Sequence, residues 1–390
     1  MPQHRVALVS SSYHPRIGGV EQHVRQAAAA LQDLGHHVEV WTVAMPGDLA
    51  ECEVDGVRVR YLPCPLPRQS FSGVADFVHL LPGALRAWRQ AWKDLRPGIV
   101  HVHCFGPSGP WALAAAAVGK RPVVLTSHGE TFADREVFDG SWLLRTALQE
   151  GVRRARAVTG CSAAVLADLR SSYGLDGGAV VQGGVAPCTD ARSSQVPGLP
   201  RGTRYVVGVG RLVPVKGFDV LADAAKYLPD DCWVVLAGDG PDRARLAGHD
   251  RVLTLGVVPP DEVAGLMAGA VAVAVPSRRE AFGLVVLEAW AAESPVVASA
   301  VDGLSDLIDD DVDGLLVPGG DPQALAAALR TLLETRSLGE RLVSVGRSRV
   351  REFTWEATAA AYARIYQRVT SDSTRDVPAR SGRGKTPTIC

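Results

Sequence analysis

Residues 280–288 read EAFGLVVLE, so that two carboxylates, Glu280 and Glu288, enclose Phe-Gly-Leu and an apolar run. A strand-like apolar run precedes this segment at 271–275, and a helical pattern follows its first glutamate. We therefore expect Glu280 in the loop after a strand and Glu288 about two turns into a helix, at about 3.6 residues per turn. The first N–H groups of a helix lack backbone acceptors and carry the positive end of its dipole. The helix start near Gly283 should therefore suit a diphosphate, with a carboxylate on either side for the hydroxyls of two sugars.

A second segment, residues 205–217, reads YVVGVGRLVPVKG and indicates a strand, a glycine-rich loop and the start of a helix. Glycines such as Gly210 let a backbone approach a ligand closely. Arg211 offers a planar fork to phosphate oxygens, and Lys216 offers a mobile point charge. Two cations at the end of a strand, opposite a helix start, predict a diphosphate clamp. The segment also resembles a dinucleotide fingerprint, but its third glycine and the later acidic residue are missing, so NAD binding is not expected.

Strand-like runs alternate with helical patterns along the chain, which favours an α/β fold with mainly parallel sheets covered by helices on both faces. The predicted strands are 6–10, 38–43, 57–62, 99–103, 123–127 and 157–160, followed by 205–209, 233–237, 252–255, 271–275, 296–299 and 314–317. Two successive sets of strands predict two Rossmann-like domains. Ligands of such sheets bind beyond the carboxyl ends of the strands, so the cleft between the domains is the expected site.

The predicted domain boundaries lie where the alternation of strand and helix patterns stops. We expect a first domain at 1–185, a linker at 186–203, a second domain at 204–353, a helix at 354–370 and a disordered polar tail at 371–390. Low periodicity with Gly, Pro and Ser marks the linker, and a basic, Pro- and Gly-containing composition marks the tail.

Bulk composition narrows the function class. The chain has 390 residues, 47% of them hydrophobic and 21% charged, as in a globular protein. Its net charge of −1 gives no general attraction to nucleic acid or to anionic membranes. Seven scattered cysteines without a C-x-x-C pair indicate reduced thiols in the cytoplasm, without structural zinc or disulfides. Neither a signal peptide nor an apolar run of about 20 residues is visible.

The order and spacing of these motifs resemble the retaining glycosyltransferases of family 4, which have the GT-B fold. The resemblance rests on Gly-Arg-Leu-x-x-x-Lys-Gly at 210–217 and Glu-x7-Glu at 280–288, and it extends over roughly residues 5–368. Weaker matches in the same order are GGVE at 18–21, GDGP at 238–241, DGLLV at 313–317 and FTWE at 353–356. The resemblance implies two Rossmann-like domains that face a central cleft, and a last helix that crosses back to the first domain.

The resemblance also implies roles for side chains in a hexosyltransferase. Arg211 and Lys216 would stabilise the departing diphosphate, and Glu280 would lie near the transferred sugar. Glu288 would bind ribose hydroxyls, and His128 would reach the donor sugar near the reacting centre. The acceptor hydroxyl would attack on the face from which the diphosphate leaves, without a metal ion or other cofactor. For His128 the alternative is a structural histidine at a strand end.

Backbone groups complete the predicted donor site, and a loop near the N-terminus completes the acceptor site. The donor-binding candidates with backbone roles are Gly19, Gly210, Phe282, Gly283 and Leu284. For the acceptor we expect Gly18, Tyr13 and His14, although Gly18 and Gly19 could also form a plain tight turn. His101 and His103 could equally be core or cleft residues, so no role is assigned to them.

Some segments depart from the family pattern or allow two interpretations. Residues 301–306, VDGLSD, replace the usual Gly-Gly-x-x-Glu, and 182–185, QGGV, replace the usual Asn-Gly-Val at the hinge. The acidic run at 309–313 is interpreted as a solvated loop and not as a metal site. One helical face carries Leu81, Leu85, Trp88, Trp92 and Leu95. That face could contact an anionic membrane, but packing against the protein's own core is favoured.

The activity predicted from the sequence is a cytoplasmic glycosyltransferase that uses a nucleotide-diphosphate sugar. UDP-sugars are favoured over GDP-sugars by their frequency alone. The acceptor could be a lipid, a glycan or a small natural product, and no nucleic acid partner is expected. Two alternatives stay open: a sugar-nucleotide epimerase or phosphorylase on the same fold, and a non-catalytic partner that binds sugar nucleotides.

Overall fold

Two mainly parallel sheets, one in each half of the chain, organise the computed structural model of this protein. The structure describes residues 2–16, 18–45, 47, 50–67, 70–133, 138, 140–186, 196–200 and 202–375. Every predicted strand is present, and its ends agree with the structure to within one residue. The prediction of two α/β domains is thereby confirmed.

The first sheet has eight strands in the order β3-β4-β2-β1-β5-β6-β7-β8. Its strands are β1 (Arg5–Ser10), β2 (His37–Val43), β3 (Glu51–Val54), β4 (Val57–Leu62), β5 (Ile99–His103), β6 (Val123–Ser127), β7 (Ala157–Gly160) and β8 (Ala179–Val180). Its helices are α1 (Gly19–Asp33), α2 (Phe71–Leu95), α3 (Ser108–Gly119), α4 (Glu130–Ala133), α5 (Trp142–Arg154) and α6 (Ala163–Tyr173). Only the β3–β4 pair of this described sheet is antiparallel.

Alternation along the central strands explains why helices cover both faces of the sheet. In β1, Val6 and Leu8 join one core cluster, whereas Ala7 and Val9 join the cluster on the opposite face. Successive side chains of a strand point to opposite faces, so a strand that is apolar throughout needs cover on both sides. Every residue of β5 is buried in this way.

The second sheet has six strands in the order β11-β10-β9-β12-β13-β14. Its strands are β9 (Arg204–Val209), β10 (Cys232–Ala237), β11 (Val252–Gly256), β12 (Ala272–Val275), β13 (Val296–Ser299) and β14 (Leu315–Val317). The helices of this half are α7 (Phe218–Ala224), α8 (Arg243–Leu246), α9 (Pro260–Gly269), α10 (Leu284–Ala291), α11 (Asp302–Leu307), α12 (Pro322–Glu334), α13 (Arg336–Arg349) and α14 (Trp355–Arg375). Three short 3₁₀ turns are Pro214–Lys216, Ala225–Tyr227 and Val350–Glu352.

Two strands of the first sheet were not predicted. β3 forms a hairpin with β4 through Asp55 and Gly56, whose φ angles of 50° and 76° lie in the left-handed region. Asp-Gly is a strong hairpin signal, so the sequence contained the information for β3. β8 has two residues, both exposed, and its sequence carries no hydrophobic pattern.

The chain crosses between the domains at two adjacent segments. The Val185 N–H donates to the Phe353 carbonyl at 3.0 Å, and the Thr358 hydroxyl donates to the Gln182 carbonyl at 2.9 Å. From there α14 packs against α1 of the first domain, as the resemblance implied. α14 continues to Arg375, beyond the predicted start of the tail at residue 371.

The predicted linker and tail are only partly covered by the structure. Linker residues 187–195 and 201 and tail residues 376–390 lie outside the described residues. Within the described part of the linker, Val196 and Leu199 are buried in the core of the second domain.

The tryptophan-bearing face of α2 packs inward. Trp88 is buried against Trp41, and its indole N–H donates to the Pro63 carbonyl at 3.1 Å. Trp92 packs against the same core cluster. Among the described residues, no helix combines the length and the apolar character needed to cross a bilayer.

Residues 309–312 of the acidic run are exposed, as expected of a solvated loop, but Asp313 is not. Asp313 is buried and forms an ion pair with Arg349, which also pairs with Asp309 at 2.8 Å. The carbonyl of Asp313 accepts a hydrogen bond from the Trp290 indole at 2.9 Å. This run therefore anchors α13 and α10.

We expect Gly184→Ala to destabilise the fold at the crossing. A Cβ on Gly184 would lie 2.5 Å from the backbone of Thr354 and Trp355, so one of the crossing segments must shift. The free energy of unfolding in urea should fall by about 1–3 kcal/mol, as for other overpacked sites. Gly83→Ala, where an added Cβ meets nothing within 4 Å, is the matched control and should be neutral or slightly stabilising. Equal effects of the two substitutions would contradict this account.

Candidate active site

A cavity of about 230 Å³ lies where the carboxyl ends of the two sheets face each other. Both domains line it, because β6 of the first domain and β9 and β12 of the second end in loops at this place. The predicted site residues that line it are Gly18, Gly19, His128, Gly210, Arg211, Lys216, Glu280, Phe282, Gly283 and Leu284. Three predicted site residues do not line the cavity: Tyr13, His14 and Glu288.

The start of α10 presents unpaired N–H groups to this cavity. Gly283 caps the helix with a φ of 100°, a left-handed conformation that favours glycine. Within the described residues, the N–H groups of Gly283, Leu284 and Val285 have no acceptor, and all three residues line the cavity. Phe282 is buried against Phe353, so only its backbone can face a ligand. This helix start can accept an anion without any rearrangement.

Lys216 and Glu280 form an ion pair at one side of the cavity. The Lys216 Nζ lies 2.7 Å from Glu280 Oε2, and the Ser277 hydroxyl donates to the same oxygen at 2.9 Å. Both side chains are largely shielded, with 26% and 13% of their surface exposed. Glu280 Oε1 has no partner among the described residues, so it is available to a ligand hydroxyl.

The loops that carry these two side chains touch at a glycine. Gly217 follows the 3₁₀ turn of Lys216 with a φ of 65°. A Cβ at Gly217 would lie 2.0 Å from the Pro276 carbonyl oxygen, in the loop that leads to Glu280. The glycine therefore lets the two loops come close enough for their charged side chains to meet.

Arg211 is an exposed cation at the mouth of the same cavity. Its guanidinium makes no ion pair or hydrogen bond with any described residue, in contrast to most arginines of the second domain. A free planar guanidinium beside unpaired N–H groups is well suited to a phosphate group.

Segment 301–306, which differs from the usual family pattern, supports the loop of Glu280 and joins it to the first domain. The Gly303 N–H donates to the Glu280 carbonyl at 2.9 Å, and a Cβ at Gly303 would lie 2.2 Å from the Ala281 carbonyl oxygen. Asp306, at the position where the family usually has glutamate, accepts a hydrogen bond from the Ala164 N–H of the first domain at 3.0 Å. The shorter side chain thus bonds to the start of α6.

Glu288 lies on the face of α10 that also carries Leu284 and Val285, one turn beyond the cavity lining. Its side chain is half-buried and has no hydrogen-bond or charge partner among the described residues. Burial raises the pKa of the Glu288 carboxyl to about 7. An unpaired carboxyl of this kind costs free energy until a ligand supplies donors to it.

His128 stands on the first-domain wall, held through a carboxylate that the sequence reasoning missed. Glu130 is buried and accepts hydrogen bonds from the His128 N–H at 2.7 Å, the Ser127 hydroxyl at 3.0 Å and the Phe105 N–H at 3.0 Å. Burial raises the pKa of Glu130, and the hydrogen-bond donors oppose that rise. The signal was local, because Glu130 is the first residue of α4 and follows His128-Gly129 directly.

The imidazole of His128 is neutral at physiological pH. Burial lowers its pKa to about 4. Its Nε2 lies 3.1 Å from His103 Nδ1, and its ring packs edge-on against His23, with 4.6 Å between the ring centroids. His23 also lines the cavity, although no motif in the sequence pointed to it. A neutral ring can exchange hydrogen bonds with a sugar hydroxyl but cannot act as a cation.

The N-terminal loop approaches the second domain, but its predicted acceptor side chains point elsewhere. A Cβ on Gly19 would lie 3.6 Å from Leu284 Cδ1, so this loop meets the start of α10. Tyr13 is buried in the core of the first domain, and burial raises the pKa of its hydroxyl. His14 is exposed, and its carbonyl accepts a hydrogen bond from the Tyr61 hydroxyl at 2.9 Å. Their acceptor role stays a prediction.

A larger apolar groove of about 860 Å³ adjoins the site on the first domain. It runs between the starts of α2 and α5 and is lined by Leu66, Phe77, Leu80 and Trp142, among others. Leu80 and Trp142 are 53% and 62% exposed. Pro107 lines this groove, and Cys104, three residues earlier, lines the interdomain cavity, so one loop borders both.

Two family models match the chain. The model described as "Glycosyl transferase 4-like domain" matches residues 18–184, and the model described as "Glycosyl transferases group 1" matches residues 190–349. Together they cover both domains and include the motifs on which the resemblance rested.

Curated relatives and a solved structure agree with these models. A D-inositol 3-phosphate glycosyltransferase from Xylanimonas cellulosilytica is 31% identical, over 94% of this chain and 97% of that protein. A phosphatidyl-myo-inositol mannosyltransferase from Mycobacterium leprae is 29% identical, over 92% and 95% of the two chains. The sucrose-phosphate synthase of Thermosynechococcus elongatus superposes with a TM-score of 0.79 at 26% identity, covering 94% of this chain and 99% of that one.

We expect the raised pKa of Glu288 to appear as a pH-dependent stability difference from Glu288→Gln. The folded protein holds this proton more tightly than the unfolded chain, for which the pKa is near 4.5. The stabilising contribution is therefore complete below pH 4.5 and is lost as the pH rises to about 7. The free energy of unfolding of the wild type, relative to the variant, should fall by about 1–3 kcal/mol over that range.

Urea unfolding at pH 4.5 and pH 8 measures this difference. Subtracting the variant from the wild type cancels the contribution of the buried histidines, which both proteins contain. Glu293→Gln, an exposed carboxyl just beyond α10, is the matched control. A wild-type-minus-variant difference that does not change with pH would show that Glu288 is not desolvated.

Proposed function

Because this chain belongs to the family 4 glycosyltransferases of the GT-B fold, we propose that it moves a hexose from a nucleotide-diphosphate sugar to an acceptor hydroxyl, with retention of anomeric configuration. The observation that carries the proposal is the start of α10, where unpaired N–H groups face Arg211 and Lys216 across one cavity. A diphosphate is a ligand that uses all of these groups at once.

In this proposal the diphosphate leaves against fixed positive charge. The bond between the anomeric carbon and the β-phosphate oxygen breaks, and negative charge grows on that phosphate. Arg211, Lys216 and the N–H groups near Gly283 stabilise the charge, because donors already in place cost no reorganisation. The acceptor oxygen forms its bond on the same face and gives its proton to a leaving phosphate oxygen.

Other side chains hold the sugar and the nucleoside. Glu280 positions Lys216 through Oε2 and offers Oε1 to a hydroxyl of the transferred sugar. Neutral His128 binds a second sugar hydroxyl from the opposite domain, and Glu288 receives the ribose hydroxyls at the far end of the donor. No metal ion is required, since the clamp supplies the charge that Mg²⁺ supplies in other transferases. UDP-sugars are the donors to test first.

The apolar groove favours an acceptor that carries an apolar arm. The loop that contains Cys104 and Pro107 borders both the cavity and the groove, so a polar headgroup at the cavity can extend its arm along α2 and α5. A phosphatidylinositol-type lipid, the acceptor class in the name of one relative, has this shape. We place the enzyme in the cytoplasm, since the described cysteines Cys52, Cys64, Cys161 and Cys232 form no disulfide bond.

Donor binding tests the proposed function. Calorimetric titration with a panel of UDP- and GDP-sugars in the presence of EDTA should find one donor that binds in the micromolar range. Lys216→Ala should weaken it by about 2 kcal/mol or more, because a charged hydrogen bond to phosphate is lost. Lys226→Ala, an exposed lysine of the same domain paired only with Asp223, is the matched control.

Several results would contradict the proposal. If Lys216→Ala leaves the donor affinity unchanged, or if EDTA abolishes donor binding, the diphosphate clamp is not the basis of donor binding. Turnover of the donor without any acceptor, or only with inorganic phosphate, would favour an epimerase or a phosphorylase. Tight binding with no turnover across all acceptors would favour a non-catalytic partner.

The acceptor groove has its own test. Trp142→Ala should raise the KM for a long-chain lipid acceptor about tenfold or more, since a buried aromatic contact contributes on the order of 1.5–3 kcal/mol. The KM for the free headgroup should not change. Tyr227→Ala, an exposed aromatic of the second domain, is the control. If Trp142→Ala changes the KM for the long-chain acceptor and for the headgroup equally, the apolar arm does not bind in this groove.

A further inference from the structure

Three histidines from separate elements converge on the first-domain wall of the cavity. His23 comes from α1, His103 ends β5, and His128 follows β6. One ring nitrogen of each lies within 4.8 Å of the others. We call these three residues the histidine triad. Only His128 has a role in the proposed reaction, so the convergence of the other two rings needs a separate explanation.

The spacing of the triad is close to that of a metal site. His103 Nδ1 and His128 Nε2 lie 3.1 Å apart. Two imidazole nitrogens on one tetrahedral Zn²⁺, each about 2.0–2.1 Å from the ion, lie about 3.3–3.4 Å apart. The three ligand nitrogens, which lie within 4.8 Å of one another, would have to close to about this separation and turn toward a common ion to complete three-nitrogen coordination.

His23 and His103 are both buried, and a histidine binds a metal ion through the lone pair of its neutral ring. His103 Nε2 is buried without a hydrogen-bond partner in the described part of the chain. A metal ion bound to His103 Nδ1 would replace the contact with His128 and would leave Nε2 without a partner as before.

A hydrogen bond with Tyr362 already orients the His23 ring as a second nitrogen is oriented in many metal sites. The Tyr362 hydroxyl lies 2.9 Å from His23 Nε2, which leaves Nδ1 of that ring without a hydrogen bond among the described residues. A metal-bound imidazole usually makes such a bond with its second nitrogen, because this fixes the ring and its tautomer. Gly183 lies next to His23 Nδ1, since a Cβ built on this glycine would be 3.2 Å from that nitrogen.

From these observations we propose that the histidine triad binds one Zn²⁺-class ion, and that the bound ion inhibits donor binding. His23 and His128 line the cavity, so an ion can enter from the cleft and keep an open position toward it. Imidazole ligands suit Zn²⁺, Co²⁺ and Ni²⁺ and do not suit Mg²⁺. The inhibitory part of the proposal rests on the proposed function, whereas ion binding does not.

Cobalt titration of the full chain, without a polyhistidine tag and after dialysis against chelator, tests the site directly. Wild type should bind one Co²⁺ with the intense visible bands of four-coordinate cobalt, and Zn²⁺ should displace it. His23→Gln and His128→Ala should each weaken binding at least tenfold. His101→Gln, a buried histidine on the same strand as His103 but outside the triad, should bind as wild type does.

The cobalt titration can overturn the proposal. A wild type with no such bands, or with bands that all variants keep, overturns the proposal. If a variant unfolds without metal, the wild type alone decides, because one equivalent of Zn²⁺ should raise its Tm. With the site loaded, the Kd for the nucleotide sugar should rise at least tenfold and recover with EDTA. Cobalt binding with an unchanged donor Kd would overturn the inhibitory part, and absence of any donor would count against the proposed function only.

Discussion

The unpaired N–H groups at the start of α10 are the constraint on which the rest of the site depends. They face a ligand only because Gly283 adopts a left-handed conformation that ends the preceding loop abruptly. Neighbouring loops must then come very close to this point. Gly217 and Gly303 permit that approach, since a Cβ at either would lie within 2.2 Å of a backbone oxygen. Glycine at these two positions therefore lets the loops of the site come together.

Charge is distributed unevenly across the cavity, and each part suits a different portion of a donor. Counting partners among the described residues only, the second domain contributes N–H groups without acceptors, Arg211 without an ion pair and the Lys216–Glu280 pair, which together suit a diphosphate. The first domain contributes His128, which is neutral because burial lowers its pKa to about 4. A sugar that carries no charge fits this side, and the same neutral imidazoles give the histidine triad its affinity for a transition metal.

The sequence predicted most of the fold, because apolar runs of strand length alternate with helical patterns along the chain. Every strand that it predicted agrees with the structure to within one residue, although β3 and β8 were missed, and it selected most of the residues that share the cavity. It missed Glu130, although that residue follows His128 closely in the chain, and it missed His23, whose importance depends on contacts between segments far apart in the chain. It also missed the apolar groove, which two helix starts create only after they pack. Tyr13 was selected for its position near a glycine loop, but its apolar ring is buried in the core.

A crystal structure of the full chain with a bound nucleotide diphosphate tests the central claim most directly. The account predicts a β-phosphate within hydrogen-bonding distance of the N–H groups of Gly283 and Leu284, with Arg211 and Lys216 on its other side. It also predicts that the ribose lies toward Glu288. A nucleotide bound elsewhere, or a β-phosphate that leaves the start of α10 without a ligand, would contradict it.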